Sequence, residues 1–415
     1  MSQTTSTPVT NCQICDSTNL KSVLFVGFIP PVNTMPAVGS IALEQPAYPL
    51  EMVRCGDCGL VQIGLEVAPE ILFPESYPYL SGTTRILRTN FANLRDEAQD
   101  LLALSKDKLV IDIGSNDGTL LSNFHESGYP VLGIEPSRAA DVANSKGIRT
   151  LKTYFSRDTA QKVAKEYGHA QLVTAANVFA HIGNVHAVVD GILDLLAPGG
   201  AFISENHYLL DLVETVQYDT IYHEHLRYYH LHSLIELFDR HGLEVFHTQR
   251  IPTHGGSIRV YTTRKGERPI QPSVAETLAE EKAKGLADGS GLRAFRDRVI
   301  RSKIDLYELL APLKRDGARI FGIGAPSRAS TLINYVGLDD GILDAVMEVS
   351  GSHKLDKYIP GTRIPVLDEK LLYSEQPEYA LLLSWHIADE LAQNLRKNGY
   401  RGKFIAPLPT PRIID

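Results

Sequence analysis

At 415 residues, 43% of them hydrophobic and 22% charged, the chain has the composition of an ordinary globular protein, and because single cores stop growing near ~250–300 residues it is expected to divide into two or three domains. A formal charge of −8 without a basic stripe argues against a nucleic-acid partner, and no apolar run approaches the ~18 residues of a membrane span. The opening MSQTTSTPVT is polar with no apolar segment, so it reads as a disordered tail rather than an export signal, and a cytoplasmic protein is expected.

All four cysteines stand in two pairs, Cys12-Gln-Ile-Cys15 and Cys55-Gly-Asp-Cys58. Two such knuckles supply four thiolates for one tetrahedral Zn²⁺ and leave no coordination position open for catalysis. A redox pair would instead open a helix after a strand, whereas both pairs here sit in turn-like sequence. To about residue 75 the apolar segments are short and broken by Pro30, Pro31, Pro36, Pro46 and Pro49. That texture predicts a loop-rich zinc-binding domain over residues 1–75 that depends on its metal.

Near residue 77 the pattern turns helical in RILRTNFANLRDEAQDLLAL, and strands and helices then alternate. LVIDIG, VLGIEP, LVTAAN and AFISEN read as strands with helices between them, which predicts a doubly wound, mostly parallel sheet over 76–285. SLIELFDRHGLEVFHTQ and GSIRVYTTR read as a closing helix and hairpin, with Ser233 and Glu236 as a capping box. Residues 266–315 read as a polar connector and one long helix. ARIFGIGAPSRASTLINY, LDAVMEV, YALLLSW and IADELAQNLRKN then predict a Rossmann-like α/β domain over 286–415.

The turn after the first strand of the middle domain runs Asp112-Ile113-Gly114-Ser115-Asn116-Asp117-Gly118. Its glycines let backbone approach a ligand, and a helix N-terminus follows. It lacks the G-x-G-x-x-G spacing of a dinucleotide site. Glu135 ends the next strand, where a carboxylate can hold two ribose hydroxyls; Asn177 ends another, and LAPGGAF leads into the next. In this order the features resemble the class I methyltransferase fold, with S-adenosylmethionine along the carboxyl ends of the strands. The resemblance places Asp112, Gly114, Asn116, Asp117, Gly118, Glu135, Pro136 and Asn177 in the wall of that site. The later turn GIGAPSRAST, with Ser327 and Arg328, suits either an anionic phosphate or an ordinary strand-to-helix connection.

The stretch YDTIYHEHLRYYHLH, residues 218–232, concentrates histidines and tyrosines. With the two cysteine pairs, SYPYLSG, DIGSNDG, FAHIGNV, HGGSIR and GIGAPSRAST, it resembles the nucleotide-diphosphate-sugar C-methyltransferases, which methylate carbon 3 of 4-keto-deoxysugars. That family usually has Tyr-Asp-Glu-His where this chain has Tyr222-His223-Glu224-His225, a change that leaves the implied catalytic positions in place and bears on substrate preference or local pKa. The resemblance implies an active-site set of Tyr79 or Tyr77, His181, Tyr222, Glu224 and His225, with His207, Arg259, Ser327 and Arg328 toward the sugar nucleotide.

Carbon has no lone pair with which to attack a sulfonium, so a proton must leave first, and a neighbouring ketone lets the carbanion become an enolate. His225 is expected as the base, oriented by Glu224, with Tyr222 or His181 on the enolate oxygen, and the exchange of roles between Tyr222 and His225 is the alternative; at i and i+3 these two share a face if the stretch is helical. His223, Tyr228, Tyr229, His230 and His232 are read as structural, and a metal at His223 and His225 lacks further ligands at a recognisable spacing. The alternatives are an O- or N-methyltransferase, which needs no enolate stabiliser, and a non-catalytic binding protein on the same scaffold. A monomer acting on a small molecule is expected.

Overall fold

The computed structural model describes residues 5–73 and 85–414, so Tyr77 and Tyr79 lie outside the described residues. The first domain contains β1 (Ser6–Pro8), β2 (Leu20–Ile29), β3 (Tyr48–Cys55), β4 (Val61–Ile63), β5 (Leu65–Val67) and the single turn α1 (Pro69–Leu72). β1 pairs antiparallel with β5, so the segment expected to be a disordered tail carries a strand. Its side chains are polar because they are mostly exposed, and backbone hydrogen bonds rather than apolar burial hold it.

The middle domain follows as α2 (Arg85–Leu102), β6 (Leu109–Ile113), α3 (Thr119–Glu126), β7 (Val131–Ile134), α4 (Ala139–Ser145), β8 (Thr150–Leu151), α5 (Arg157–Tyr167), β9 (Ala170–Ala176), α6 (Val185–Leu195), β10 (Leu196–His207), α7 (Leu209–Glu214), β11 (Arg227–Tyr228), α8 (Leu231–Asp239), β12 (Leu243–Ile251) and β13 (Ser257–Arg264). Its sheet has the order β12-β13-β10-β9-β6-β7-β8. β6 to β10 are parallel in their pairings, and β13 runs antiparallel to both neighbours. The near-continuous apolar runs in β6 and β9 follow from burial on both faces. α2 covers one face with Leu87, Phe91, Leu94, Ala98 and Leu102, spaced as one helical stripe, against Val110, Ile203 and Tyr261.

The start of α8 differs from the expected capping box. His230, with an extended backbone, is the cap, and Ser233 at the third helical position accepts the His230 N–H at 3.2 Å. The helix begins earlier than Ser233 because Leu231 and Leu234 are both needed in the core.

The last part comprises α9 (Pro272–Ala283), α10 (Ser290–Arg315), β14 (Ile320–Ile323), α11 (Ser327–Val336), β15 (Ala345–Glu348), β16 (Lys357–Tyr358), β17 (Pro365–Asp368), α12 (Lys370–Glu375), β18 (Tyr379–Leu382), α13 (Ala388–Lys397), β19 (Lys403–Ala406) and β20 (Arg412–Ile414). Two helices therefore replace the expected connector and single helix. They part at Gly285 and Gly289, which take φ of 72° and 78°, a region open chiefly to glycine. The sheet order is β16-β17-β15-β14-β18-β19-β20, parallel in the centre and antiparallel at both edges.

Residues 217–228 tie the three parts together. β11 pairs antiparallel with β4 and completes the sheet β11-β4-β3-β2, so the middle domain supplies a strand to the first. On the other side Asp219, fully buried, accepts from Arg328 Nε at 2.7 Å and from Trp385 Nε1 at 2.7 Å, both from the last domain.

Candidate active site at the domain junction

The carboxyl edge of the middle sheet is shaped by backbone that most residues avoid. Gly114 and Gly118 have φ of 68° and 76°, and a Cβ on Gly114 would lie 2.4 Å from Val178 Cγ2. Asn116 and Asn177, at φ of 49° and 59°, hold the same left-handed region, which asparagine tolerates better than most. Glu135 is buried; its Oε2 accepts from Asn116 N at 3.1 Å and its Oε1 from Ser137 N at 2.9 Å. Each oxygen keeps a second lone-pair direction for a ligand hydroxyl. Pro136 follows it half-buried. Asn177 Oδ1 is buried without a hydrogen-bond partner, and so are both amide atoms of Asn206, next to it across the edge. Orphaned amides on the same sheet edge as Glu135 fit a polar, hydroxyl-bearing ligand such as S-adenosylmethionine.

Two residues of the turn face the protein instead. Asp112 accepts from Thr174 Oγ1 at 2.6 Å, and burial pushes its carboxyl up to about 7, against the lowering effect of that bond. Asp117 accepts from Thr119 Oγ1 at 2.6 Å and pairs with Lys146 at 3.0 Å. They shape the turn from behind.

Beyond this edge lies a cluster of imidazoles. His181 sits on a 3-10 turn, Phe179–His181, just after β9, and His207 ends β10. The expected helix at Tyr222 to His225 is a single turn, closed by His225 N to Tyr222 O at 3.0 Å, and it still brings the two rings to 4.1 Å. His225 lies 4.9 Å from His181 and 5.3 Å from His207, centroid to centroid. Burial drives His225 and His207 well below the ordinary histidine value and takes His181 to about 4. All three are therefore neutral near pH 7.

His225 Nδ1 lies 2.9 Å from the Thr220 carbonyl oxygen. A carbonyl only accepts, so Nδ1 carries the proton and Nε2 presents the lone pair. The orienting partner is thus Thr220, in place of Glu224, whose Oε1 accepts from Asn33 Nδ2 of the first domain at 2.7 Å. Ser327 Oγ reaches the same Asn33 at 3.4 Å.

Both expected substrate arginines have other duties. Arg259 on β13 is 1% exposed and pairs with Glu205 at 2.6 Å and with Glu97, while its Nη2 donates to Asn90 Oδ1 at 3.0 Å. It ties α2 to the sheet and has no donor directed at a sugar nucleotide. Arg328 forks onto Asp219 and also donates to Gln217 Oε1 at 3.1 Å. The turn amide at Ala325 is taken by Glu348 Oε2 at 2.7 Å, an acid where a phosphate would need to dock. Sequence reading missed Asn33, Thr220 and Asn206: Thr220 acts through its backbone carbonyl, Asn206 is placed by the pairing of β10 with β9, and Asn33 is brought in only by the meeting of domains.

The four cysteine sulfurs lie within 4.8 Å of one another, with Cys12 to Cys58 at 3.4 Å and Cys15 to Cys55 at 3.5 Å. A tetrahedron of Zn–S bonds near 2.3 Å has edges of about 3.8 Å, so the set fits the ion. The Cys58 hydrogen bond draws the Cys12 thiol down to about 5, while burial takes Cys15 to about 11. A divalent cation resolves that conflict by binding all four as thiolates. His223 packs against Tyr48 at 5.9 Å, and among the described residues the cysteines are the grouping with metal-ligand geometry.

Three family models match the chain in succession: "Putative zinc binding domain" over residues 12–73, "Methyltransferase domain" over 86–248 and "C-methyltransferase C-terminal domain" over 252–409. C-methyltransferase NovU of Streptomyces niveus is 34% identical over 413 residues, covering 98% of this chain and 97% of that one. A ubiquinone biosynthesis O-methyltransferase of Shewanella pealeana is 28% identical over 114 residues, 26% of this chain and 48% of its own. The solved magnesium protoporphyrin IX methyltransferase of Synechocystis PCC 6803 with bound SAM aligns over 45% of this chain and 86% of that one, at 15% identity and a TM-score of 0.33.

Proposed function

The chain belongs to the C-methyltransferase family, and on that premise we propose that its acceptor is carbon 3 of a nucleoside-diphosphate 4-keto-deoxysugar, methylated through an enolate. S-adenosylmethionine is the methyl donor, held at Glu135, Asn177 and the Asp112 to Gly118 turn, and when bound it supplies an electrophilic methyl group. The other groups of this site move a proton.

His225 Nε2 takes the proton from the carbon beside the ketone, and the electron pair left behind spreads onto the keto oxygen. Tyr222 or His181 donates a hydrogen bond to that oxygen, and as the electron pair returns to carbon a new C–CH3 bond forms while the sulfonium S–CH3 bond breaks and leaves a neutral thioether. Glu224 holds Asn33 and the first domain against the site. The observation that carries the reading is the Thr220 contact, because it turns a buried neutral imidazole into a base with its lone pair fixed. An O- or N-methyltransferase has no need of such a base next to an oxyanion donor.

Incubation with a 4-ketosugar nucleotide in D₂O, together with a donor analogue that cannot methylate, tests this directly. The wild type is expected to exchange the proton at the target carbon faster than solvent does. His225→Ala should lose both exchange and methylation, and Tyr222→Phe should slow both by the ~10²–10³ typical of one lost oxyanion donor. Exchange at the wild-type rate in His225→Ala would remove it as the base.

A further inference from the structure

His254 has no part in the chemistry above, yet two unfavourable features meet in it. Its backbone is left-handed, with φ 57° and ψ 20°, a region that residues bearing a Cβ seldom occupy. Its Nε2 is buried without a hydrogen-bond partner. Strain of this kind persists where the surroundings impose it, and it gathers at ligand sites.

The surroundings here do impose it. A Cβ on Gly255 would lie 2.7 Å from Gln217 Oε1, and one on Gly256 would lie 2.2 Å from Asp211 Cγ, so the turn is pressed flat against the residues beneath it. Gln217 Nε2 donates to the Gly255 carbonyl at 2.6 Å, and Gln217 Oε1 accepts from Arg328 Nη2. The imidazole stacks on His207 with 5.4 Å between centroids and 25° between planes, and His207 in turn neighbours His225.

We propose that His254 is a substrate-binding residue whose Nε2 hydrogen-bonds a hydroxyl or keto oxygen of the acceptor sugar, with the C-terminal domain setting its position through Arg328 and Gln217. The inference rests on the function proposed above. It points to the sugar rather than the diphosphate because the ring is neutral: burial, and then the Arg328 charge, hold it at about 4. A neutral imidazole offers one donor and one acceptor, which matches a hydroxyl, whereas a phosphate selects a cation. It points to the acceptor rather than the methyl donor because the stack leads to His225, where the reacting carbon must sit, while the donor's wall lies at Glu135 and Asn177.

The test compares the full-length wild type with His254→Gly and His254→Asn by calorimetry, using a 4-ketosugar nucleoside diphosphate, the sugar-free nucleoside diphosphate and S-adenosylmethionine. His254→Gly relieves the left-handed backbone, so its melting temperature is expected to equal or exceed the wild-type value. Its affinity for the 4-ketosugar nucleotide should fall roughly three- to tenfold, the size of one hydrogen bond, with the other two ligands unchanged. His254→Asn, which tolerates the backbone and offers an amide, should lie between. Wild-type affinity for the 4-ketosugar nucleotide in both variants would overturn the inference, as would equal losses for the sugar-free nucleotide. Failure of the wild type to bind any 4-ketosugar nucleotide while binding S-adenosylmethionine would overturn the proposed function, and this inference with it.

Discussion

Glu135 shows how a single side chain can be legible from sequence and its supports not. Its place at the end of the second strand of a βαβ unit puts a carboxylate at the sheet's carboxyl edge, but the backbone N–H groups of Asn116 and Ser137 that fix its two oxygens depend on a left-handed residue. Glu135→Ala is expected to weaken S-adenosylmethionine binding by roughly 1–3 kcal/mol, as when a charged acceptor of ligand hydroxyls is lost, and unchanged affinity by calorimetry would place the ribose elsewhere. His225 makes the complementary case. Sequence put it beside Glu224 as its orienting acid, whereas folding gives its Nδ1 to the Thr220 carbonyl, a backbone atom that no side-chain pattern reveals. Because burial lowers the pKa of His225, the lone pair stays free as the pH falls through ~6.5, the usual histidine value. The acid limb of kcat/KM should therefore lie clearly below pH 6.5; a limb at 6.5 in protein shown by circular dichroism to be folded would mean that the base is a solvated group.

At the scale of elements, the strands and helices with strong periodicity were readable, and what escaped was held by partners distant in sequence. β1 is polar, β16 is two residues long, and β20 pairs at an edge, so none has the apolar signature of a buried strand. Residues 217–228 are the instructive case. Their crowding of proton carriers suggested chemistry, and part of it serves architecture: Asp219 anchors Arg328 and Trp385, and Arg227 and Tyr228 extend the first domain's sheet. Removing one partner of a buried ion pair leaves the other uncompensated, typically at ~3–5 kcal/mol. Arg328→Met should accordingly lower the urea midpoint of unfolding markedly, whereas the double variant Arg328→Met with Asp219→Asn should recover much of that loss. Additive losses would show that the two side chains do not act as a pair.

For the whole molecule, stability should depend on the metal and on pH through the same junction. Metal analysis is expected to find one Zn²⁺ per chain on Cys12, Cys15, Cys55 and Cys58, and because β4 carries β11, chelation should lower methylation as well as the melting temperature. Less than half an equivalent, with the thiols freely titratable in folded protein, would refute the site.

The response to acid follows from the buried imidazoles. His181, His207, His223, His225, His230, His254 and His386 are all held below the ordinary histidine value by burial, His181, His223 and His254 at about 4 and His230 and His386 at about 3. Unfolded, each titrates near ~6.5. Between pH ~6.5 and ~4 the unfolded chain thus binds protons that the native protein refuses, and the stabilisation present above ~6.5 is lost as pH falls, by up to ~1.4 kcal/mol per pH unit for each histidine. Asp112 acts in the opposite sense: its carboxyl, raised to about 7, favours the native state at low pH and weakens it as pH rises through 7. One such group does not offset seven histidines, although the raised Glu205, Asp211 and Glu281 reduce the slope. The urea midpoint should therefore be highest at or above pH 7 and fall steeply from 6.5 to 4.5, with net uptake of several protons on unfolding at pH 5.5. His230 lies outside the proposed chemistry and in the core, so His230→Phe should flatten that slope by about one proton. A midpoint independent of pH across this range would mean that the imidazoles are solvated in the native protein and that the domain junction is open to water.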